Sequence, residues 1–491
     1  MKIHNFLAFD LGAESGRAII GSIKTERLTI TEIHRFPNRI ICSHGHYQWD
    51  LERLFGEIKT GIKKCVREYK CNPQSLGIDT WGVDFGLLDD NGALIGNPYV
   101  YRDPQTRGMV NRFSRQISRK KLYRLTGTQF HEINSLYQVA AIKRRTPSWF
   151  GKVRHLLFMP DLFNYLLTGI RTSEYTIAST SQLMDARRKK WAPSVFRALG
   201  VNRSIMPGII NPGRIIGRLK KEIAEELRVP MIPVVAVAGH DTASAVAAVP
   251  AQSKNWAFIS CGTWSLMGVE TIRPIINRKA LIYNFTNEGG IGGRIRFLKN
   301  IAGLWLLREC RRSWSREKRV TYEMIDRWAA AAEPLQSFLD PDRPEFLMPD
   351  DMALTVRNFY RRTGQKIMRT HGAIARSILE SLAFKYRWTL NQLTEIVGNR
   401  IQTIHIVGGG SRNRLLCQFT ANATGLPVVS GPVEATAVGN ILAQAMAAGL
   451  INSLAQARAV VRRSFPLETF DPIDRDQWLE KYQIFLAIAG K

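Results

Sequence analysis

The chain has 491 residues, 45% of them hydrophobic and 22% charged, which is the balance of a globular protein and excludes a disordered one. No apolar run reaches the ~18 residues of a membrane span, and MKIHNFLAF meets Asp10 before a signal-peptide core can form, so the expected location is cytoplasmic. Lys and Arg outnumber Asp and Glu by 69 to 41, and the resulting +28 charge favours encounter with anionic ligands without specifying one.

In chain order, FLAFDLGAESGRAIIG (residues 6 to 21) reads as a buried strand, a polar turn and a second strand, with Gly12 and Ser15 in the turn. LTITEIHRF adds a third strand by its alternation, and a helix follows from Asp50 to about Tyr69, its apolar face built from Leu51, Leu54, Ile58 and Ile62. SLGIDTWGVDFGLLDDNGALI gives two strand-like runs joined through Asp90-Asn91-Gly92. The region from Arg112 to about Leu199 reads as largely helical. It carries Arg119-Lys120-Lys121, Lys143-Arg144-Arg145 and Arg187-Arg188-Lys189-Lys190, clusters short enough to be solvated helix faces and unaccompanied by a recognition-helix motif. VVAVAG then leads into His240-Asp241-Thr242 and an alanine-rich helix, where the boundary between domains 1–245 and 246–491 is expected.

The second half restarts with WAFISCGTWSLMGVE (256 to 270), a second hairpin with Gly262 and Ser265 at the spacing of Gly12 and Ser15. A long helix from about Gly372 to Ile396, strand TIHIV, the turn GGGSRN, a helix from Arg414, and a last strand-turn-helix ending at Gly449 complete the domain. The segment beyond Pro466 is expected to return to the first domain. This order implies an α/β fold of mixed sheets with helices on both faces, made twice. Six cysteines (Cys42, Cys65, Cys71, Cys261, Cys310, Cys417) lack Cys-x-x-Cys spacing and partner histidines, which argues against a zinc site or a disulfide framework.

No Gly-x-x-x-x-Gly-Lys-Ser/Thr loop and no Gly-x-Gly-x-x-Gly after a strand is found, so an anion must be held otherwise. Glycines in the two hairpin turns allow close approach of backbone N–H groups, and phosphate is the natural ligand. Asp10, at the end of the first strand, suits either a hydrated Mg²⁺ or local turn hydrogen bonds. Asp241 suits either a helix N-cap or a general base accepting a proton from an attacking hydroxyl. Trp81 beside Gly82 offers either a core residue or a flat wall for a sugar. Asp79, Asp84 and Tyr101-Arg102-Asp103 supply further polyol-binding groups.

Taken in order, DLGAESGR, GIDTWGVDFGLLD, AGHDT, SCGTWSLMG, LKNIAGLW and HIVGGGSRN resemble the FGGY family of carbohydrate kinases over essentially the whole chain. The resemblance implies two ribonuclease H-like (actin-like ATPase) domains with the active site in the interdomain cleft. It further implies ATP-dependent phosphorylation of the 1-hydroxyl of L-rhamnulose, with Mg²⁺. L-fuculose or a pentulose is the alternative acceptor. A sugar-responsive regulator or a nucleic-acid-binding protein on the same fold is the reading from another class. By the same resemblance Ala13, Glu14, Ser15, Gly16, Arg17, Thr263, Arg308 and Gly409 contact the nucleotide, and Arg308 stands where the family often has Gln. Gly82, His240, Asp241, Thr242 and Asn300 fall on sugar-contacting positions, with Asp241 the proton acceptor.

Overall fold

Strand His4–Leu11 is buried from Phe6 to Leu11, pairs antiparallel with Ser15–Lys24, and pairs parallel on its other edge with Leu76–Thr80. In this computed structural model, which describes residues 2–316, 319–347 and 349–490, the chain divides into two units. The first comprises residues 1–248, 270–297 and 435–464, and the second 249–269, 298–434 and 465–491.

The sheet of the first unit runs Arg214–Arg218, Pro233–Ala236, Leu76–Thr80, His4–Leu11, Ser15–Lys24, Arg27–Pro37. In the second unit the order includes Ile295–Ala302, Trp264–Thr271, Trp256–Cys261, Thr403–Val407, Val428–Ser430, Glu468–Phe470. With the edge strands Arg214–Arg218, Thr286–Gly289 and Glu468–Phe470 set aside, the five remaining strands of each sheet, numbered in chain order, read 3-2-1-4-5 in both cases. The repeated hairpin is thus the first step of a repeated topology. Its parallel edges require helical crossovers, which the intervening helices supply.

The helices form where the sequence spaces its apolar residues. Leu51–Lys63 buries Leu51, Leu54, Ile58 and Ile62, and the Asp50 side chain accepts from the Arg53 N–H at 3.1 Å to cap it. His371–Val397 starts at a Thr370 cap and ends at Gly398, whose φ of 74° is the left-handed conformation that glycine supplies cheaply. Between residues 112 and 199 the helices Arg119–Thr126, Ser135–Arg145, Met159–Thr168 and Pro193–Leu199 alternate with short strands such as His155–Phe158. Arg119, Lys120, Lys121, Arg187, Arg188 and Lys190 are exposed.

Two segments depart from the sequence reading. Helix Ala435–Ala447, expected to close the second domain, belongs to the first unit. Its small residues explain this: a Cβ on Gly439 would stand 1.8 Å from the Ser244 carbonyl oxygen, so the helix lies against Asp241–Ala247 as only glycine allows. Two buried amides fasten it to the sheet, Gln444 donating to the Leu7 carbonyl at 3.0 Å and Asn440 to the Gly77 carbonyl at 3.2 Å. The C-terminal helix Arg475–Ala489 stays with the second unit instead of returning to the first. Its Trp478, Tyr482 and Phe485 gather round Phe384 of the long helix, with ring centroids 5.1, 5.8 and 5.6 Å away.

Glu380, 1% exposed in the same long helix, gives a pH test of this unit. Burial pushes its carboxyl up to about 7, although Arg376 and the Leu335 N–H pull it down. Raised in the folded state, the carboxyl holds a proton that the unfolded chain releases, so this group's contribution to stability falls as pH rises from about 4.5 to about 7. The expected result is that the stability difference between wild type and Glu380→Gln, from urea unfolding, declines with pH by at most ~1.4 kcal/mol per unit across that window. A difference that is flat with pH contradicts it.

Candidate functional site

The hairpin of the first unit closes through Gly12, whose N–H donates to the Ser15 carbonyl at 3.0 Å. Asn38 staples the turn, donating from its side chain to the Gly12 carbonyl and from its N–H to the Glu14 carbonyl. Added as a Cβ, a side chain at Gly12 would find only the Ser15 carbonyl, at 3.6 Å, so the backbone there is open to a ligand. Gly16 has another reason: a Cβ would fall 2.2 Å from the Phe36 ring. Ala13, Ser15 and Arg17 are half-buried, while the Glu14 residue is exposed at the tip. Cross-strand partners Asp10 and Arg17 form an ion pair.

Asp10, Asp79 and Asp241 share one electrostatic neighbourhood. Burial, then the charge of Asp10, push the Asp79 carboxyl well above the usual carboxylate range; Asn440 pulls it back and Asp241 adds to the push. Asp79 Oδ2 accepts from Asn440 at 2.6 Å, whereas its buried Oδ1 has no hydrogen-bond partner. Asp79 is 0% exposed, so it is not the polyol acceptor anticipated from sequence.

The strand Pro233–Ala236 leads into helix Asp241–Ala247 through Gly239 and His240. His240 occupies the cap position without a capping bond from its side chain, and Asp241 is the first helical residue, its side chain 30% exposed. Asp241 Oδ1 accepts from the Thr242 N–H at 2.5 Å and from Thr242 Oγ1 at 3.1 Å. Glu174 braces the approach: its Oε2 accepts from the Gly239 N–H at 2.9 Å and from Thr176 Oγ1 at 2.5 Å, and that hydroxyl accepts from the His240 N–H at 3.2 Å. Burial raises the Glu174 carboxyl against these donors. Behind the imidazole lie Glu288 and the fully buried Arg296. Burial alone would raise Glu288, but the charge of Arg296 above all holds it below the ordinary range.

Gly82 faces the same histidine. A Cβ there would stand 3.2 Å from His240 Nε2, so glycine keeps the space open. The Asp84 N–H donates back to the Gly82 carbonyl at 3.0 Å, and the intervening Val83 has a φ of 70°. A β-branched residue in that region is strained, and this γ-turn persists because Ser135 Oγ donates to the Val83 carbonyl at 2.5 Å and Thr180 Oγ1 accepts from its N–H at 3.3 Å.

The aromatic and acidic residues around this turn do other work than expected. Trp81 is 4% exposed and packs on Trp49, ring centroids 4.3 Å apart, so it is core and not a sugar platform. Asp84 is 0% exposed: Oδ2 accepts from Trp49 Nε1 at 2.7 Å, Trp81 Nε1 at 2.9 Å and the Tyr101 N–H at 3.1 Å, and Oδ1 from Gln138 at 2.9 Å. Burial pushes its carboxyl up to about 7 while these donors pull it down. Asp103 is likewise consumed, accepting from the Tyr47 N–H at 2.7 Å, the Gln105 N–H at 3.0 Å and His46 Nδ1 at 3.0 Å, and Tyr101 is buried.

In the second unit the hairpin turn is one residue shorter, with Cys261 paired to Ser265 and the Gly262 N–H donating to the Trp264 carbonyl at 2.8 Å. Thr263 carries its carbonyl to the Gly303 N–H at 3.1 Å and Leu304 N–H reaches the Gly262 carbonyl at 3.0 Å, which seats helix Trp305–Trp314 on the turn. Arg308, one turn along, stacks 4.6 Å over Trp305 and pairs with Glu309 at 3.2 Å. The GGGSRN turn arrives beside the same hairpin: a Cβ on Gly410 would strike Cys261 Sγ at 2.2 Å and one on Gly408 would lie 3.1 Å from its carbonyl, while Gly409 has open space. Thr263 and Gly409 thus meet at Cys261. Asn300 lies on strand Ile295–Ala302, in the part assigned to the second unit.

The structure therefore groups Gly82, His240, Asp241 and Thr242 with Asp10 and the first turn, and separately groups Thr263, Arg308 and Gly409. Asn38, Glu174, Glu288, Arg296 and Asn440 were not signalled by any motif; only Glu174, which caps Tyr175–Ala178, sits at a readable helix start. Among the described residues no group of three or more His, Cys, Asp and Glu is arranged to hold a metal by itself, and no helix is long and apolar enough to cross a membrane.

Comparison with known proteins gives the context of this geometry. Residues 5–248 match the N-terminal domain of the FGGY family of carbohydrate kinases and residues 257–448 its C-terminal domain. A rhamnulokinase of Bacteroides thetaiotaomicron is 46% identical over 97% of this chain and 98% of its own length. A rhamnulokinase of Bacillus subtilis is 38% identical, again over 97% and 98%. Among solved structures, a gluconate kinase from Lactobacillus acidophilus superposes with a TM-score of 0.83 over 100% of this chain and 98% of that one at 14% identity. A Plasmodium falciparum glycerol kinase with ADP gives 0.79 over 99% and 98% at 15% identity, a likeness of fold.

Proposed function

Because the chain belongs to the FGGY family of carbohydrate kinases, we propose that it phosphorylates the 1-hydroxyl of L-rhamnulose from ATP, giving L-rhamnulose 1-phosphate and ADP in L-rhamnose breakdown in the cytoplasm. Sequence identity to rhamnulokinases over almost the full chain supports the choice of sugar. The observation that carries the chemistry is Asp241: a carboxylate that is part-exposed, fixed by Thr242, and set on a backbone braced by Glu174 beside the open face of Gly82.

In the transfer step the sugar hydroxyl oxygen bonds to the γ-phosphorus as the bond to the β-phosphate oxygen breaks, and the hydroxyl proton passes to Asp241. Gly82, His240, Thr242 and Asn300 orient the sugar. The first turn, Ala13 to Arg17, contacts the nucleotide, as do Thr263, Arg308 and Gly409. Glu14 is exposed at the tip of this turn.

Mg²⁺ fits this site on physical grounds. The orphaned buried oxygen of Asp79, and the charges of Asp10 and Asp241 that raise its carboxyl, describe a negative field that a divalent cation would relieve. Asp10 would hold it, phosphate oxygens and water completing the shell as is usual for this ion. Bound there, Mg²⁺ would neutralise phosphate charge.

An ADP-release assay across L-rhamnulose, L-fuculose, L-ribulose and L-xylulose tests the reading. The highest kcat/KM is expected for L-rhamnulose. A preference for L-fuculose or a pentulose reassigns the substrate, and turnover of none overturns the kinase reading.

A further inference from the structure

Arg296 is 0% exposed, and a buried guanidinium with a buried carboxylate beside it is costly to maintain, so its contacts call for a reason. Its Nε donates to the Gly289 carbonyl at 2.8 Å and its Nη2 to His240 Nδ1 at 3.1 Å. Glu288 Oε2 lies 3.1 Å from that Nη2 and 3.3 Å from the same imidazole nitrogen, within ion-pair range but without a hydrogen bond. Two groups of opposite demand therefore face one nitrogen: arginine can only donate to it, a carboxylate can only accept from it.

Of the two, only the Arg296 contact has hydrogen-bond geometry. A neutral ring that accepts from Arg296 at Nδ1 carries its single proton on Nε2. Nε2 is 3.4 Å from Asp241 Oδ1 and faces the space kept open by Gly82. With the tautomer reversed, Nδ1–H would meet the Arg296 guanidinium at 3.1 Å and a lone pair would confront the Asp241 carboxylate, whereas in the Nε2–H form the lone pair that faces Glu288 at 3.3 Å is met by the Arg296 donor. We propose that Arg296 and Glu288 are positioning residues: Arg296 selects the Nε2–H tautomer of His240, and through it the orientation of Asp241, while Glu288 balances the buried guanidinium charge. This rests on the sugar-kinase reading only for its kinetic consequence, since the tautomer is a property of the resting protein.

The test combines ¹⁵N NMR of the His240 ring in the full-length protein with steady-state kinetics on three variants. Wild type is expected to show Nε2 protonated. In Arg296→Met only Glu288 remains beside Nδ1, so the proton should move to Nδ1 and kcat for L-rhamnulose should fall by ~10², the scale of a slight misplacement of reacting groups, with the KM for ATP unchanged. Arg296→Lys, which still donates, should keep the Nε2–H tautomer and recover part of kcat. The double variant Arg296→Met/Glu288→Gln removes both buried charges and offers an amide donor to Nδ1; it should be more stable than Arg296→Met, restore Nε2–H, and raise kcat above that of the single variant. A wild-type ring protonated on Nδ1, or a double variant whose kcat tracks only the folded fraction, would overturn the proposal. If no sugar is turned over, the kinase reading fails while the NMR arm still decides the tautomer.

Discussion

Asp241→Asn is expected to lower kcat by roughly 10²–10⁴, the contribution of a positioned general base, or about 3–5 kcal/mol of transition-state stabilisation. The substitution is informative because so little else changes. Asn retains an oxygen for the Thr242 N–H and hydroxyl that Asp241 now binds at 2.5 and 3.1 Å. The start of the helix is carried by the His240 carbonyl, which accepts from the Ala243 N–H at 2.7 Å, and by Glu174 on Gly239, neither of which involves this side chain. Thermal stability should therefore stay near that of wild type and the KM for L-rhamnulose should change less than kcat. What is lost is the ability to accept the hydroxyl proton. Asp241→Ala would also release Thr242, and comparing the two separates proton transfer from placement. A kcat for Asp241→Asn within a few-fold of wild type would remove Asp241 from its role.

Much of this architecture was legible because it is local. A continuous apolar run marked His4–Leu11, Gly and Ser marked the turns, and the long helix read as about Gly372 to Ile396 is His371–Val397. The repeated hairpin pointed to a repeated topology, and the two sheets share one strand order. Asp241 could be singled out because a carboxylate after an apolar strand and before a helix is a short-range pattern. What escaped the sequence is set by partners far along the chain. Trp81 and Asp84 have the composition of a sugar pocket, but Trp49 and Gln138, 32 and 54 residues away, turn them into core. Helix Ala435–Ala447 looks like the natural end of the second half until Ser244, almost 200 residues earlier, is found against Gly439. Arg296 stands in IRFLKN, an ordinary strand, and only the fold reveals that it is buried against His240.

The second large effect belongs to Asp84, and it is one of stability. Its carboxylate collects two indole N–H groups, a backbone N–H and a carboxamide with no exposure to water. Asp84→Leu would fill similar volume but leave those four donors buried and unanswered, at ~1–3 kcal/mol for each one that cannot find another acceptor. Some relaxation is available, since Gln138 also donates to the Ile133 carbonyl at 2.9 Å, whereas the two indoles are pinned against each other at 4.3 Å. A loss of at least ~3–5 kcal/mol is expected, a large part of the 5–15 kcal/mol that separates folded from unfolded domains. Asp84→Asn, which keeps one acceptor oxygen and adds a donor among donors, should fall between the two. Because Asp84 anchors the turn whose strained Val83 follows Gly82, the destabilisation should be felt at the site: Asp84→Asn, where it folds, should raise the KM for L-rhamnulose more than that for ATP. Urea midpoints and sugar-dependent kinetics measure both arms. A Leu variant as stable as wild type would mean the four hydrogen bonds do not hold this turn together.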